Sequence, residues 1–336
     1  MLCLKVPKSE GEKVRNKLLE ENILEKKGKI TSDDDYLFIP IKEIPKENLD
    51  YEVVKRDVEY RESKSRDYRY IVKLPSDLVE YLPTSFDIIG DIAIIKIPDE
   101  LEDYKADIGR AILEVQPNVE TVMEDKGVSG EFRVRQVQTI AGKDKQITVH
   151  KEYGAEFEID VANAYFSPRL ATERWKVVNM TKPNEKVLDM FAGVGPYSIL
   201  IAKNVDVERV YSIDINPKAI SLLKRNVKRN NVEDLVEIHE GNAKDLAPKF
   251  KVDRIIMNLP HSSFEFLDTA LKAAGGRSVI HYYEIIENTE FDERIKKIKQ
   301  KIRGCGYTPN IKKIRDVRSY SAYMEHKALD IEVKKS

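Results

Sequence analysis

From about residue 155 onward the chain alternates short apolar runs with amphipathic ones: KVLDMF, PYSILIAKN, RVYSIDI, PKAISLLKRNVKRNN, then VEIHEG and RIIMNL. That alternation permits little except an α/β fold with a doubly wound, mainly parallel sheet, because parallel neighbours must be joined by crossover helices. Such sheets bind ligands beyond the carboxyl ends of their strands. Here those ends are polar: Asp189, Asp214, Asn242 and Asn258 each follow an apolar run. A strand that finishes on a carboxylate or an amide puts hydrogen-bonding capacity where chemistry is done.

The first of these ends is the most informative. In VLDMFAGVGPYS a strand runs into a turn with Gly193 and Gly195, and a helix follows. Residues without Cβ let a backbone approach a ligand closely at a helix N-terminus. A nicotinamide fingerprint would need a third glycine, and position 198 is Ser. Asp189 is also unfavourable beside a pyrophosphate, yet it suits the cationic end of S-adenosyl-L-methionine. Asp214 can accept both ribose hydroxyls of an adenosine, and Asn242 and Ala243 can border the adenine. Together these ends specify a Rossmann-type methyltransferase domain. The fourth end, Asn258-Leu-Pro-His261, resembles the Asn-Pro-Pro-aromatic motif of enzymes that methylate planar nitrogen, with Leu259 and His261 as departures. Asn258 and Pro260 are expected to position the acceptor.

The preceding chain reads as two small α+β modules. Residues 1–55 carry the strand LCLKV, a helix with Val14, Leu18 and Leu19 on its apolar face, and the strand YLFIPI. Residues 56–73 read as a linker, and 74–154 as a second module with the strand DIAIIKI, a helix from about Asp103 to Val115, and GEFRVRQVQTI. The methyltransferase domain then takes 155–336. A net charge of -1 does not exclude a nucleic-acid partner, because charge can be concentrated on one face. Ten Lys or Arg lie between Arg294 and Arg318 against the single acid Asp316, and KRDVEYRESKSRDYRYIVK mixes basic residues with Tyr60, Tyr68 and Tyr70. Basic side chains meet phosphates while aromatic faces stack on unpaired bases. Two cysteines, Cys3 and Cys305, and five scattered His support neither a disulfide framework nor a metal site. No apolar run approaches a membrane span, and the N-terminus is charged within eight residues, so a cytoplasmic protein is expected.

In order along the chain, GEFRVR, HKEYG, YFSPRLATER, DMFAGVGP, IDINP, MNLP and HYY resemble the archaeal and eukaryotic tRNA (guanine-37-N1)-methyltransferases over nearly the whole length. The resemblance implies methyl transfer from S-adenosyl-L-methionine to N1 of the guanine 3′ of the anticodon. It implies a monomer that recognises the anticodon stem-loop and outer corner of tRNA, the latter through the first module. Glu173 of YFSPRLATER matches the family's general base, and Arg133 of EFRVR the group that contacts O6. The division of roles between Arg133 and Arg135 stays open. Tyr165 would stack on or border the base. Arg174, Phe191, Gly193, Gly195, Asp214, Ile215, Asn242, Ala243 and Asn258 match the cofactor contacts.

Other readings are expected to fail on particular residues. An oxidoreductase leaves NLPH unexplained, and a purely RNA-binding protein leaves the strand ends unexplained. A transferase that moves the aminocarboxypropyl group of the same cofactor in wyosine synthesis would lack the NLP motif. His261 and Tyr197 stand where many archaeal members have Lys and Phe, and they leave room for a second activity, methylation of C7 of a tricyclic wyosine precursor at position 37.

Overall fold

The computed structural model describes the chain apart from residues 27, 46–50, 60–66, 131–133 and 322. It forms two compact units, Met1–Ile71 and Val72–Ser336. In the first, Leu2–Pro7 lies between Tyr36–Pro40 and Glu52–Lys55 in an antiparallel sheet. Helix Gly11–Glu20 contributes Val14 and Leu18, one turn apart, to a core shared with Leu4, Val6 and Ile39. Leu19, expected on the same face, is 41% exposed, because one residue past Leu18 the helix has turned by about 100°.

The expected linker over 56–73 is not featureless. The Arg56 N–H donates to the Met1 carbonyl (3.0 Å), and Glu59 accepts from the Lys29 N–H (2.9 Å). Tyr68–Tyr70 forms a 3₁₀ turn capped by Asp67, which accepts from the Arg69 N–H. Of the three tyrosines read as stacking platforms, Tyr60 lies outside the described residues, Tyr68 is buried and Tyr70 is exposed.

In the second unit Asp87–Ile89, Ile92–Ile95, Thr121–Ser129 and Val134–Gly142 form a four-stranded sheet. Its central pair is parallel and is joined through helix Lys105–Val115. Next comes the hairpin Ile147–Glu152 and Ala155–Asp160, whose two-residue turn Tyr153-Gly154 has positive φ at both positions. The boundary expected at 154/155 therefore cuts a hairpin at its tip. The strand–helix alternation on which that boundary rests begins only after the hairpin, with helix Ala171–Met180.

The main sheet comprises β1 (Lys186–Asp189), β2 (Arg209–Asp214), β3 (Val236–Glu240), β4 (Val252–Met257), β5 (Ala274–Glu287), β6 (Tyr307–Ser319) and β7 (Met324–Lys335). Its order is β3-β2-β1-β4-β5-β7-β6, parallel from β3 to β5, with β7 antiparallel to both its neighbours. Five helices flank it: α1 (Ala171–Met180), α2 (Pro196–Asn204), α3 (Pro217–Arg229), α4 (Ser263–Ala273) and α5 (Phe291–Gly304). Successive strand residues point to opposite faces, as the two cores record: Ile256, Tyr283 and Ala328 join one with α1, α2 and α3, while Ile255, Tyr282 and Leu329 join the other with α4 and α5.

The edge strand Ala155–Asp160 lacks a second strand neighbour, and α3 supplies one from side chains. Asn226 Oδ1 accepts from the Glu158 N–H (2.7 Å) and Asn226 Nδ2 donates to the Glu158 carbonyl (3.0 Å). Asn230 treats Glu156 the same way, at 3.0 and 2.7 Å. The spacings match because four helical residues rise about 6 Å and two strand residues about 6.6 Å. Asn226 Nδ2 also donates to the Val194 carbonyl in the glycine turn, so the same amide braces that loop (3.0 Å). Asn226→Ala should lower unfolding stability by roughly 1–3 kcal/mol or more, the cost of a buried backbone group left unpaired. Urea denaturation checks this, and an unchanged midpoint would show that the amides are replaceable by water.

Candidate active site

The polar strand ends converge where the sheet order reverses, beside β1 and β4. A cavity of about 440 Å³ lies there, within the range of small-ligand pockets. Its lining includes Tyr165, Arg174, Phe191, Gly193, Asp214, Ile215, Asn242, Ala243, Asn258 and Pro260. Ten of the thirteen site residues expected from sequence therefore share one cavity. The other three differ. Gly195 is needed for packing: its φ is +91°, and a Cβ there would meet Leu223 Cδ1 at 2.2 Å. Glu173 is buried and is not among the lining residues. Arg133 lies outside the described residues.

Asp214 is set by the backbone. Its Oδ2 accepts from the Gly193 N–H at 2.7 Å, across a residue whose φ is +56°, and its Oδ1 accepts from the Asn216 N–H at 2.8 Å. Burial pushes its pKa up against those two bonds. Asn216 caps α3, accepting from the Lys218 N–H. Asn242 does the same for the short turn Ala243–Leu246, accepting from the Lys244 N–H. The side chains at the ends of β2 and β3 are thus fixed before any ligand arrives. Phe191 meets Phe266 edge-on, with centroids 5.0 Å apart, on the apolar wall.

Asp189 is 1% exposed; its Oδ2 accepts from the Ser198 hydroxyl (2.9 Å), and its Oδ1 has no hydrogen-bond partner among the described residues. Burial pushes its pKa up to about 7. A carboxylate in this state suits a cationic ligand group, which would favour its charged form. Arg174 lines the cavity, but its guanidinium is engaged with Glu152 (2.8 and 2.5 Å) and the Ser167 carbonyl (3.1 Å). It shapes the wall more than it offers free donors.

Sequence reasoning missed the lining residues Arg318 and His326, and it left Arg135 and His261 as open alternatives that the structure places in the same cavity. Arg135 is held by Asp87 (2.8 Å) and Asp125 (3.2 Å). Arg318 and His326 come from paired positions on β6 and β7, and among the described residues neither Arg318 Nε nor either ring nitrogen of His326 has a partner. Burial, helped by Arg318, pushes His326 down to about 4, so its imidazole is neutral. His261 packs edge-on against Tyr320, with centroids 5.6 Å apart. Register between β6 and β7 brings Arg318 and His326 in, and no local motif announces them.

The basic run 294–318 also resolves differently from its sequence reading. Arg294, Lys297, Lys301, Lys312 and Arg315 all form ion pairs within the chain. Half of these basic residues thus pair with acids of the chain itself, four of the five tying α5 or β6 to the neighbouring elements β5, α4, β7 and α1.

The Asp189 shift carries a stability consequence with a definite sign. The folded chain keeps a proton on Asp189 that the unfolded chain has lost above pH about 4, so this group costs stability progressively from about 4 to about 7 and fully above 7. Asp189→Asn should melt higher than the parent at pH 8, and the difference should shrink at pH 5. Thermal denaturation at both values checks this, and an equal difference at the two pH values would contradict it.

Residues 148–308 match the TRM5/TYW2 methyltransferase domain, 69–145 the TYW2 N-terminal domain and 3–50 the tRNA methyltransferase 5 N-terminal domain. The curated tRNA (guanine(37)-N(1))-methyltransferase Trm5b of Pyrococcus abyssi is 42% identical over 334 residues, 99% of each chain. Its crystal structure has a TM-score of 0.79 to this chain, at 41% identity and 99% coverage of both. A structure of Methanocaldococcus jannaschii Trm5 in complex with adenosine has a TM-score of 0.70, at 34% identity and 100% coverage of both. A tRNA(Phe) (4-demethylwyosine(37)-C(7)) aminocarboxypropyltransferase of Pyrococcus horikoshii is 32% identical over 79% of this chain and 94% of its own. With its fold, its polar strand ends and these full-length relatives in agreement, the chain belongs to the TRM5/TYW2 methyltransferase family.

Proposed function

We propose that this chain transfers a methyl group from S-adenosyl-L-methionine to N1 of guanine 37 of tRNA, acting as a cytoplasmic monomer. The observation that carries the reading is that Asn258 and Pro260 line the same cavity as Asp214 and Asn242, in a chain alike over 99% of its length to a curated enzyme named for that reaction. Aminocarboxypropyl transfer is disfavoured by the intact Met257-Asn258-Leu259-Pro260 and by that relative's shorter match.

The cavity residues fit the donor. Asp214 would hold the ribose hydroxyls, Asn242, Ala243 and Ile215 the adenine, and the Phe191–Gly193 turn the cationic end, with Asp189 buried outside the lining. When bound, the donor supplies an electrophilic methyl group on sulfonium sulfur. Arg174 supports this region from behind through the Ser167 carbonyl.

N1 of guanine carries a proton and becomes nucleophilic only as that proton leaves, while negative charge grows on O6. Glu173 is assigned as the general base. Its carboxylate is held just behind the lining residues Tyr197 and His326, both within its electrostatic reach, so the entering base has to meet it there. The cation opposing O6 is assigned to Arg133, because the guanidinium of Arg135 is already committed to Asp87 and Asp125. Asn258 orients the base's hydrogen-bonding edge, and Tyr165, 42% exposed at the rim, borders its face. The Met1–Ile71 unit reads the outer corner of tRNA, and the second unit holds the anticodon stem-loop.

Glu173→Gln keeps the side chain's size but cannot take a proton. Single-turnover methylation should slow by roughly 10²–10⁴-fold with donor binding preserved. A wild-type rate in a folded variant would remove Glu173 from the chemistry.

A further inference from the structure

The carboxylate of Glu173 is gripped asymmetrically. Oε1 accepts from Arg315 Nη2 at 2.6 Å, from Arg315 Nε at 3.2 Å and from the Tyr283 hydroxyl at 3.1 Å. Oε2 has only longer contacts, 3.3 Å to Arg315 Nε and 3.4 Å to Lys176 Nζ. One oxygen is immobilised while the other keeps lone-pair capacity.

Arg315 is itself anchored from the far side. Its Nη2 donates to Asp330 Oδ1 at 3.0 Å and its Nη1 to Asp330 Oδ2. Asp330 Oδ1 is 2.7 Å from His281 Nδ1, and His281 Nε2 is 2.6 Å from Arg254 Nη1. A guanidinium only donates, so Nε2 is the acceptor and the ring proton sits on Nδ1, pointing at Asp330. The imidazole is therefore neutral, the direction in which burial pushes it. Arg254 ends the chain on Glu185 (2.7 Å) and the Met180 carbonyl (2.6 Å). With His281 neutral, Glu173, Asp330 and Glu185 balance Arg315, Arg254 and Lys176.

We propose that Arg315 is the positioning residue for Glu173: with the Tyr283 hydroxyl it fixes Oε1 so that Oε2 is presented to the target base. This rests on the reading of Glu173 as the general base. In that step the N1–H bond of guanine breaks, the proton bonds to Oε2, and the electron pair stays on N1. Tyr283 on β5 and Arg315 on β6 come from strands far from α1 in sequence. Lys176 on α1, Tyr197 on α2 and His326 on β7 also lie within electrostatic reach of the carboxylate, but none of them donates to Oε1.

The test is a double-mutant cycle in single-turnover methylation of a tRNA transcript. Arg315→Lys keeps the charge but loses the fork that binds both Glu173 and Asp330, and Tyr283→Phe removes only the hydroxyl. Each should slow the step, Arg315→Lys by roughly 10- to 100-fold, the scale of a small misplacement of a reacting group, with tRNA and donor dissociation constants within about 3-fold of wild type. In a Glu173→Gln background neither should slow the step further by more than about 2-fold. Wild-type rates in both variants, or the same loss with and without Glu173, would overturn the inference. If Arg315→Lys does not fold, Tyr283→Phe decides by the same criteria. Wild-type activity in Glu173→Gln alone would instead refute the assignment of the base.

Discussion

Burying a carboxylate is unfavourable unless a counter-charge and hydrogen bonds come with it, and the Arg315 guanidinium meets that condition for two acids at once. Glu173 on α1 and Asp330 on β7 are both nearly inaccessible, and both bond to the same fork from β6. The fork therefore ties the helix that carries Glu173 to the antiparallel strands that close the sheet. Through His281 and Arg254 the connection reaches β5, β4 and Glu185 ahead of β1. Removing one member of such a chain strands another charge in the interior, so these residues hold one arrangement rather than several.

The other half of the site is organised by the backbone. Asp214 is bonded by the Gly193 and Asn216 N–H groups, and Asn226 braces the glycine turn through the Val194 carbonyl. These bonds join β2 and α3 to the turn after β1, so this half of the cavity is built from backbone geometry at neighbouring strand ends. The acceptor half depends on long-range register: Asn258 follows β4, and Arg318 and His326 face each other across β6 and β7. A preorganised donor site beside a wall of unsatisfied polar groups suits a planar, polar base presented to a fixed electrophile.

What was legible in the sequence follows this division. The glycine turn, Asp214, Asn242 and Asn258 were readable because each acts where its own strand ends, and all of them reach one cavity. Glu173 was found through its motif, but its burial was not, because its partner Arg315 stands 142 residues away. Arg315 itself was hidden in a run that reads as solvated basic surface, and a charge pattern carries no mark of which guanidinium turns inward. The expected boundary at 154/155 follows the change to strand–helix alternation, and that periodicity does not show that the strands on either side of it pair as one hairpin. Gly195 was read as a ligand contact, whereas Leu223 from α3 is what excludes a side chain there.

The central claim is that the methyl group, and no other substituent of the sulfonium, moves to N1 of guanine 37. The most direct test incubates a tRNA transcript with donor labelled either in the methyl group or in the aminocarboxypropyl chain, followed by nucleoside mass spectrometry. Methyl label is expected in 1-methylguanosine at position 37, with no aminocarboxypropyl label in the tRNA. Aminocarboxypropyl label retained in the tRNA, or methyl label on any other atom of that guanine, would contradict it.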